Sequence, residues 1–192
     1  MGRYRTLSPA NWQRRAVLSG LAGAAASLLL APAGRALGSV VESPARRLSL
    51  LHTHTSESLD VAFFDGAAYC PDALSTLDGF LRDFRTGEAT RMDRRLFDGL
   101  HALTTLADHA APFEVISAYR SPATNQMLAG RSTGVARRSL HMEGSAIDVR
   151  LSGYPTRKLF DHARQLGLGG VGLYLKSDFI HLDTGRVRFW TG

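Results

Sequence analysis

The chain has 192 residues, of which 44% are hydrophobic and 21% charged; this fits one globular domain with an appendage and does not fit a disordered chain. Its net charge of +6 is a leader effect: Arg3, Arg5, Arg14, Arg15 and Arg35 fall in the first 36 residues with no Asp or Glu, and the other 18 of the 23 Lys+Arg face 17 Asp+Glu. A nucleic-acid partner would want basic charge on the folded domain, so that class is set aside, and a single cysteine, Cys70, excludes an internal disulfide.

Residues 1–36 read as an export signal. Arg14-Arg15 opens an Ala- and Leu-rich run from Ala16 to Ala31, and Ala31-Pro32-Ala33 offers a small-x-small exit, with Gly34-Arg35-Ala36 as a second candidate. The run is too short and too rich in Ala and Gly for a stable membrane span. The adjacent arginines favour the twin-arginine route, which places the folded domain in the periplasm or cell envelope. Residues 37–45 read as a linker and 46–192 as the domain.

Arg47 to His54 alternates as a strand, Ser56-Glu57-Ser58 turns, and Leu59 to Phe64 returns. His52 and His54 share a face at strand spacing; edge-strand polar residues account for them more simply than a metal. Cys70 reads as a small buried apolar residue. From Pro71 to Gly87 a helix is expected, with Leu74, Leu77, Phe80, Leu81 and Phe84 inward and Arg82, Asp83 and Arg85 on its polar side. A second helix runs from about Asp93 to Ala110, with His101 and His109 as surface or satisfied residues.

Phe113 to Ala118 is an apolar strand. Ser121 can cap the next helix and Pro122 suits its first position; that helix ends near Ala129, and a loop from Gly130 leads to Arg138. Ser145 to Leu151 is a short apolar strand, and a helix follows to Leu166. Val171 to Leu175 and Phe179 to Asp183 form a hairpin, and Val187 to Trp190 closes the chain. This order favours an α+β fold with a central, mainly antiparallel sheet flanked by helices. No dinucleotide or phosphate loop spacing occurs.

The chemistry gathers in two clusters, Ser139 to Asp148 and Asp178 to Asp183. An open hydrolytic zinc site takes three protein ligands and keeps a fourth position for water. His141, Asp148 and His181 can supply the three. Gly144 is the turn that lets His141 and Asp148 converge, and Glu143 belongs at the surface. On a regular strand His181 and Asp183 point the same way, whereas Asp178 reaches the metal only from the turn. Asp178 is then the favoured general base. Asp183 is the alternative for that task, or the partner that holds a ligand histidine. Arg120, where strand gives way to helix cap, can stabilise an oxyanion or grip a substrate carboxylate, or serve as a salt-bridged scaffold residue. Arg137 and Arg138 can bind an acidic peptide, although a solvated surface explains them as well.

Ser139-Leu140-His141, Gly144, Ala146 and Asp148 resemble the Ser-x-His-x-x-Gly-x-Ala-x-Asp motif of the D-Ala-D-Ala metallopeptidase and hedgehog-type zinc peptidases. Ser117 to Pro122 resembles the segment of that group that carries its arginine. The nearest likeness is to the YcbK-like murein endopeptidases, through Leu50 to Ser58, Arg82 to Gly87 and Lys176 to Gly185. The resemblance implies one zinc ion on His141, Asp148 and His181, with Arg120 stabilising the anion. It also implies the fold of that group and peptidoglycan peptides as substrate, cut at a cross-link. Many relatives place a Glu base three before the last ligand, where this chain has Asp178. The alternatives are a carboxypeptidase or dipeptidase acting on the peptidoglycan stem, and a catalytically silent zinc-binding recognition module.

Overall fold

One seven-stranded mixed sheet organises the molecule, in the order β2-β1-β3-β4-β6-β5-β7. Its strands are β1 (Arg46–His52), β2 (Ser58–Phe64), β3 (Phe113–Ser117), β4 (Ala146–Leu151), β5 (Gly170–Tyr174), β6 (Phe179–Asp183) and β7 (Arg188–Thr191), and its helices are α1 (Pro71–Phe80), α2 (Arg94–Ala107), α3 (Pro122–Arg131) and α4 (Thr156–Leu166). This computed structural model describes residues 43–131 and 136–192. The expected signal, 1–36, and most of the expected linker lie outside the described residues. Among the described residues no helix is long and apolar enough to cross a membrane.

Four of the strand pairings are antiparallel; β1 with β3 and β5 with β7 run parallel. The expected α+β fold with a mainly antiparallel sheet is thus borne out. Its helices pack on the sheet through apolar stripes: Leu96, Phe97, Leu100 and Leu103 of α2, and Leu159, Phe160 and Ala163 of α4. Burying each such Leu or Phe contributes about 1.5–3 kcal/mol.

The pairing of β4 with β6 decides where chemistry can occur. Ile147 faces Leu182 and Val149 faces Ile180 across the ladder, all four fully buried. Side chains alternate between faces of a strand, so Asp148 and its cross-strand partner His181 emerge on the opposite face. The hydrophobic pattern that seats this pair of strands in the core therefore also fixes the two polar side chains against each other.

Three expectations need correction. The first helix stops at Phe80. The chain then turns tightly, with Gly87 N–H donating to the Asp83 carbonyl (2.7 Å) and Asp83 N–H to that of Glu88 (2.8 Å). Asp83 is accordingly buried, not on a polar helix face. His52 lies on an interior strand, not an edge: β2 is the edge. Its ring is buried against Phe80 and Phe84, and Nδ1 accepts from the His54 and Thr55 amides at 3.2 and 3.4 Å. Cys70 is only half-buried, at the start of α1.

Candidate metal centre

His141 reaches the sheet face from a single 3₁₀ turn, Leu140–Glu143. Ser139 Oγ accepts from His141 N–H (3.4 Å) at its start. Gly144 ends it with φ +65°, and a side chain there would lie 2.5 Å from the Arg91 carbonyl oxygen. Both the positive φ and that close approach require glycine. Gly144 is thus the turn anticipated between His141 and Asp148, and Glu143 is exposed as expected.

His141, Asp148 and His181 come together, each offering one donor atom within 4.8 Å of the others. His141 Nε2 is 3.3 Å from His181 Nδ1. Asp148 Oδ1 is 2.9 Å from His181 Nδ1 and 3.4 Å from His141 Nε2. A tetrahedral zinc ion with bonds of about 2.0–2.1 Å would hold its donors about 3.3 Å apart, so the trio fits it. The tautomers agree as well. His141 Nδ1 lies 2.7 Å from the Ala118 carbonyl, which can only accept, so Nδ1 carries the proton and Nε2 is free to bind. His181 Nε2 donates to Asp183 Oδ2 (3.0 Å), so Nδ1 is the nitrogen turned toward Asp148 and His141 that a bound metal would take in place of a proton.

The electrostatics favour a cation at this spot. Burial works against a charged His181, yet its bonds to Asp148 and Asp183 outweigh burial and push its pKa up to about 9. Burial would likewise raise the Asp148 pKa, but the two histidines hold it well below the usual carboxylate range.

The two carboxylates weighed as general base part company. Asp183 is fully buried beside His181. Its Oδ1 accepts from the amides of Gly170 and Gly185, each at 2.9 Å, and Arg188 bonds both oxygens, at 3.1 and 2.7 Å. The bond from His181, with those of Arg188 and the two amides, holds its pKa well down against the effect of burial. This is the arrangement of a residue that holds a ligand histidine. Asp178 does not join the trio: its side chain is 63% exposed, bonds Thr156 Oγ1, and lies 3.9 Å from Arg150. It occupies a left-handed position, φ +52°, at the end of a 3₁₀ turn. Asp tolerates that conformation better than most residues, so the turn accounts for the residue.

Arg120 is brought in. Its side chain is largely buried, 3.7 Å from Asp148 Oδ2, with contacts to Ser117 Oγ (3.3 Å) and Asn125 Oδ1 (3.4 Å), while Nε has no partner among the described residues. It lines a cavity of about 470 Å³ together with the trio.

The family model for peptidoglycan L,D-endopeptidase MepK matches residues 41–190. The chain belongs to that family. It is 40% identical to the peptidoglycan L,D-endopeptidase MepK of Escherichia coli K12 over 172 residues, 84% of this chain and 94% of that one. It is 41% identical to the probable peptidoglycan L,D-endopeptidase MepK of Haemophilus influenzae over 155 residues, 80% and 83% of the two chains. No solved structure gives a significant match. The resemblance read from the two motifs is borne out.

Sequence reasoning missed the aromatic wall of the cavity. Trp190 lies over Gly172, the residue beside His181 on β5, where a side chain would sit 2.5 Å from the indole. The indole N–H donates to Tyr174 Oη (2.9 Å), and Tyr174 stacks on Phe179 at 4.7 Å. The signal was Gly172 inside an apolar strand, a common mark of close approach by another group. Of the two loop arginines, Arg138 lines this cavity and Arg137 does not. His101 and His109 are satisfied by backbone carbonyls, and the trio is the metal-capable group found among the described residues.

Proposed function

We propose that the protein is a secreted zinc endopeptidase that hydrolyses L,D-peptide bonds in the cross-links of peptidoglycan. The observation that carries this reading is the donor trio of His141, Asp148 and His181, open on one side to a cavity that also receives Arg120; membership in the family supports the substrate. A zinc ion held by the three donors would acidify a bound water to a pKa near 7 and polarise the scissile carbonyl. The chain's own part is orientation and charge. Ala118 and Asp183 hold the two imidazoles in their binding tautomers. Arg120, largely desolvated and with no partner for Nε among the described residues, meets the negative charge that develops on the carbonyl oxygen. The aromatic wall of Tyr174, Phe179 and Trp190 gives the peptide an apolar surface beside the ligands. Asp183 is assigned to His181 rather than to proton transfer, and Asp178 to the turn.

Export by the twin-arginine route to the periplasm belongs to the same reading. It is supported by the Arg14-Arg15 pair, the apolar run and the small-residue exit. That route carries folded proteins, which suits a domain loaded with metal before it leaves.

The test is digestion of purified peptidoglycan by the zinc-loaded protein and by His181→Ala, with the new termini identified by mass spectrometry. The expected result is that only the wild type opens cross-links, at an L,D bond. Release of single terminal D-residues would instead indicate a carboxypeptidase. No product beyond that of the variant would leave a recognition module.

A further inference from the structure

The segment Arg82 to Gly87, part of the family likeness, takes no part in the site described above, yet its one buried carboxylate reaches toward it. Asp83 is 1% exposed. Its Oδ2 accepts from the Ser121 amide (2.9 Å) and its Oδ1 from the Arg85 amide (3.0 Å), and the Ser121 and Thr124 hydroxyls bond the same carboxylate. Three consecutive amides are therefore pinned, two by the Leu81–Asp83 turn and one by the 3₁₀ turn that carries His141. Tyr119 N–H donates to the Leu81 carbonyl (3.0 Å), Arg120 N–H to the carbonyl of the ligand His141 (3.1 Å), and Ser121 N–H to Asp83.

We infer that Asp83 is a positioning residue for the reaction: it fixes the backbone that holds Arg120 in the cavity beside His141, Asp148 and His181, where a metal and substrate would bind. The geometry leaves little else for it to do. Among the described residues Asp83 has no ion-pair partner within 4 Å, so its charge is met by hydrogen bonds, chiefly from the Arg120 loop and the cap of α3. Those bonds outweigh burial and lower its pKa to about 2, so it is ionised wherever the protein would work. Arg120 must hold its place without help from its own Nε, which is buried and has no partner among the described residues. A backbone displacement of about 1 Å at such a residue can cost on the order of 10²-fold in rate. The inference rests on the reading that Arg120 acts on the substrate.

A double-mutant cycle separates positioning from general scaffolding. Asp83→Asn, Arg120→Ala and the double variant are assayed on peptidoglycan peptides, with zinc affinity measured by chelator competition and folding by thermal denaturation. Asp83→Asn is expected to lower kcat by about 10- to 100-fold with KM and zinc affinity close to wild type. In the Arg120→Ala background the same change should cost less than about threefold, because nothing remains to be positioned. Multiplication of the two losses in the double variant would overturn the inference, as would wild-type kcat in folded Asp83→Asn or a matching loss of zinc affinity. If Arg120→Ala alone retained the wild-type rate, the reading of Arg120 itself would fail first. Should Asp83→Asn not fold, Thr124→Val removes one donor to the same carboxylate and enters the same cycle, with a smaller loss and the same rule of non-multiplication.

Discussion

The two ends of β6 carry the same residue type and put it to opposite use. At the start of the strand Asp178 lies in a left-handed turn, largely in water, with Thr156 and Arg150 as neighbours. At its end Asp183 is wholly buried, accepts four hydrogen bonds from Gly170, Gly185 and Arg188, and gives its remaining contact to His181. Proximity in sequence to a ligand histidine does not make a carboxylate part of the site. What matters is strand parity, because Asp183 is two residues from His181 on a regular strand and shares its face. Asp178 is three away and sits beyond the strand's end.

The largest effect that separates the two ends is expected from Asp183→Ala. Loss of the carboxylate frees the His181 Nε2 proton and ring orientation, and zinc affinity should fall by about 10- to 100-fold. Titration of the metal-free variant with zinc against a chromophoric chelator measures it. The same titration on Asp178→Ala should match the wild type. Equal losses in the two variants would erase the contrast between the ends of the strand.

How much of this was legible beforehand follows the same physics. The grouping of His141, Asp148 and His181 could be read because a motif of fixed spacing and a strand of period two place them without reference to distant contacts. The strands and most helix starts were visible for that reason. Sequence left the general base open between Asp178 and Asp183, since a turn releases a residue from the alternation and only tertiary contacts settle where it points. Asp83 was misread for a related reason. An Asp flanked by Arg82 and Arg85 looks like a solvated helix face, and nothing local reveals that the helix ends at Phe80 and that Ser121, 38 positions later, supplies its partner. The covering of Gly172 by Trp190 depends on a parallel pairing of β5 with β7 that no short-range pattern encodes.

A second comparison sets buried Asp83 against the exposed Asp178, and acid sharpens it. Asp83 is lowered from 3.8 to about 2 in the folded protein. A depressed carboxylate stabilises the fold fully above its unfolded pKa and loses that contribution as pH falls through the folded value. The shift corresponds to about 2 kcal/mol, present at pH 5 and mostly gone near pH 2. Urea unfolding at the two pH values should show wild type losing about 2 kcal/mol more than Asp83→Asn. If both lose the same amount, the hydrogen bonds to Asp83 do not favour its charged form.

Asp178→Asn should do least. Asparagine adopts the left-handed conformation as readily as aspartate, so φ +52° is kept, and its amide oxygen can still accept from Thr156. What is removed is one charge, 3.9 Å from an Arg150 that keeps Glu114 as its closer partner at 2.6 Å. Exposed pairs of that kind are worth about 0–1 kcal/mol. The expected outcome is unfolding stability within about 0.5 kcal/mol of wild type and a rate of cross-link cleavage within about threefold. A general base behaves otherwise, since removing its carboxylate costs roughly 10²–10⁴-fold. A loss of that size in folded, zinc-loaded Asp178→Asn would mean that the turn swings Asp178 toward the metal when substrate binds, and the two ends of β6 would then both belong to the site.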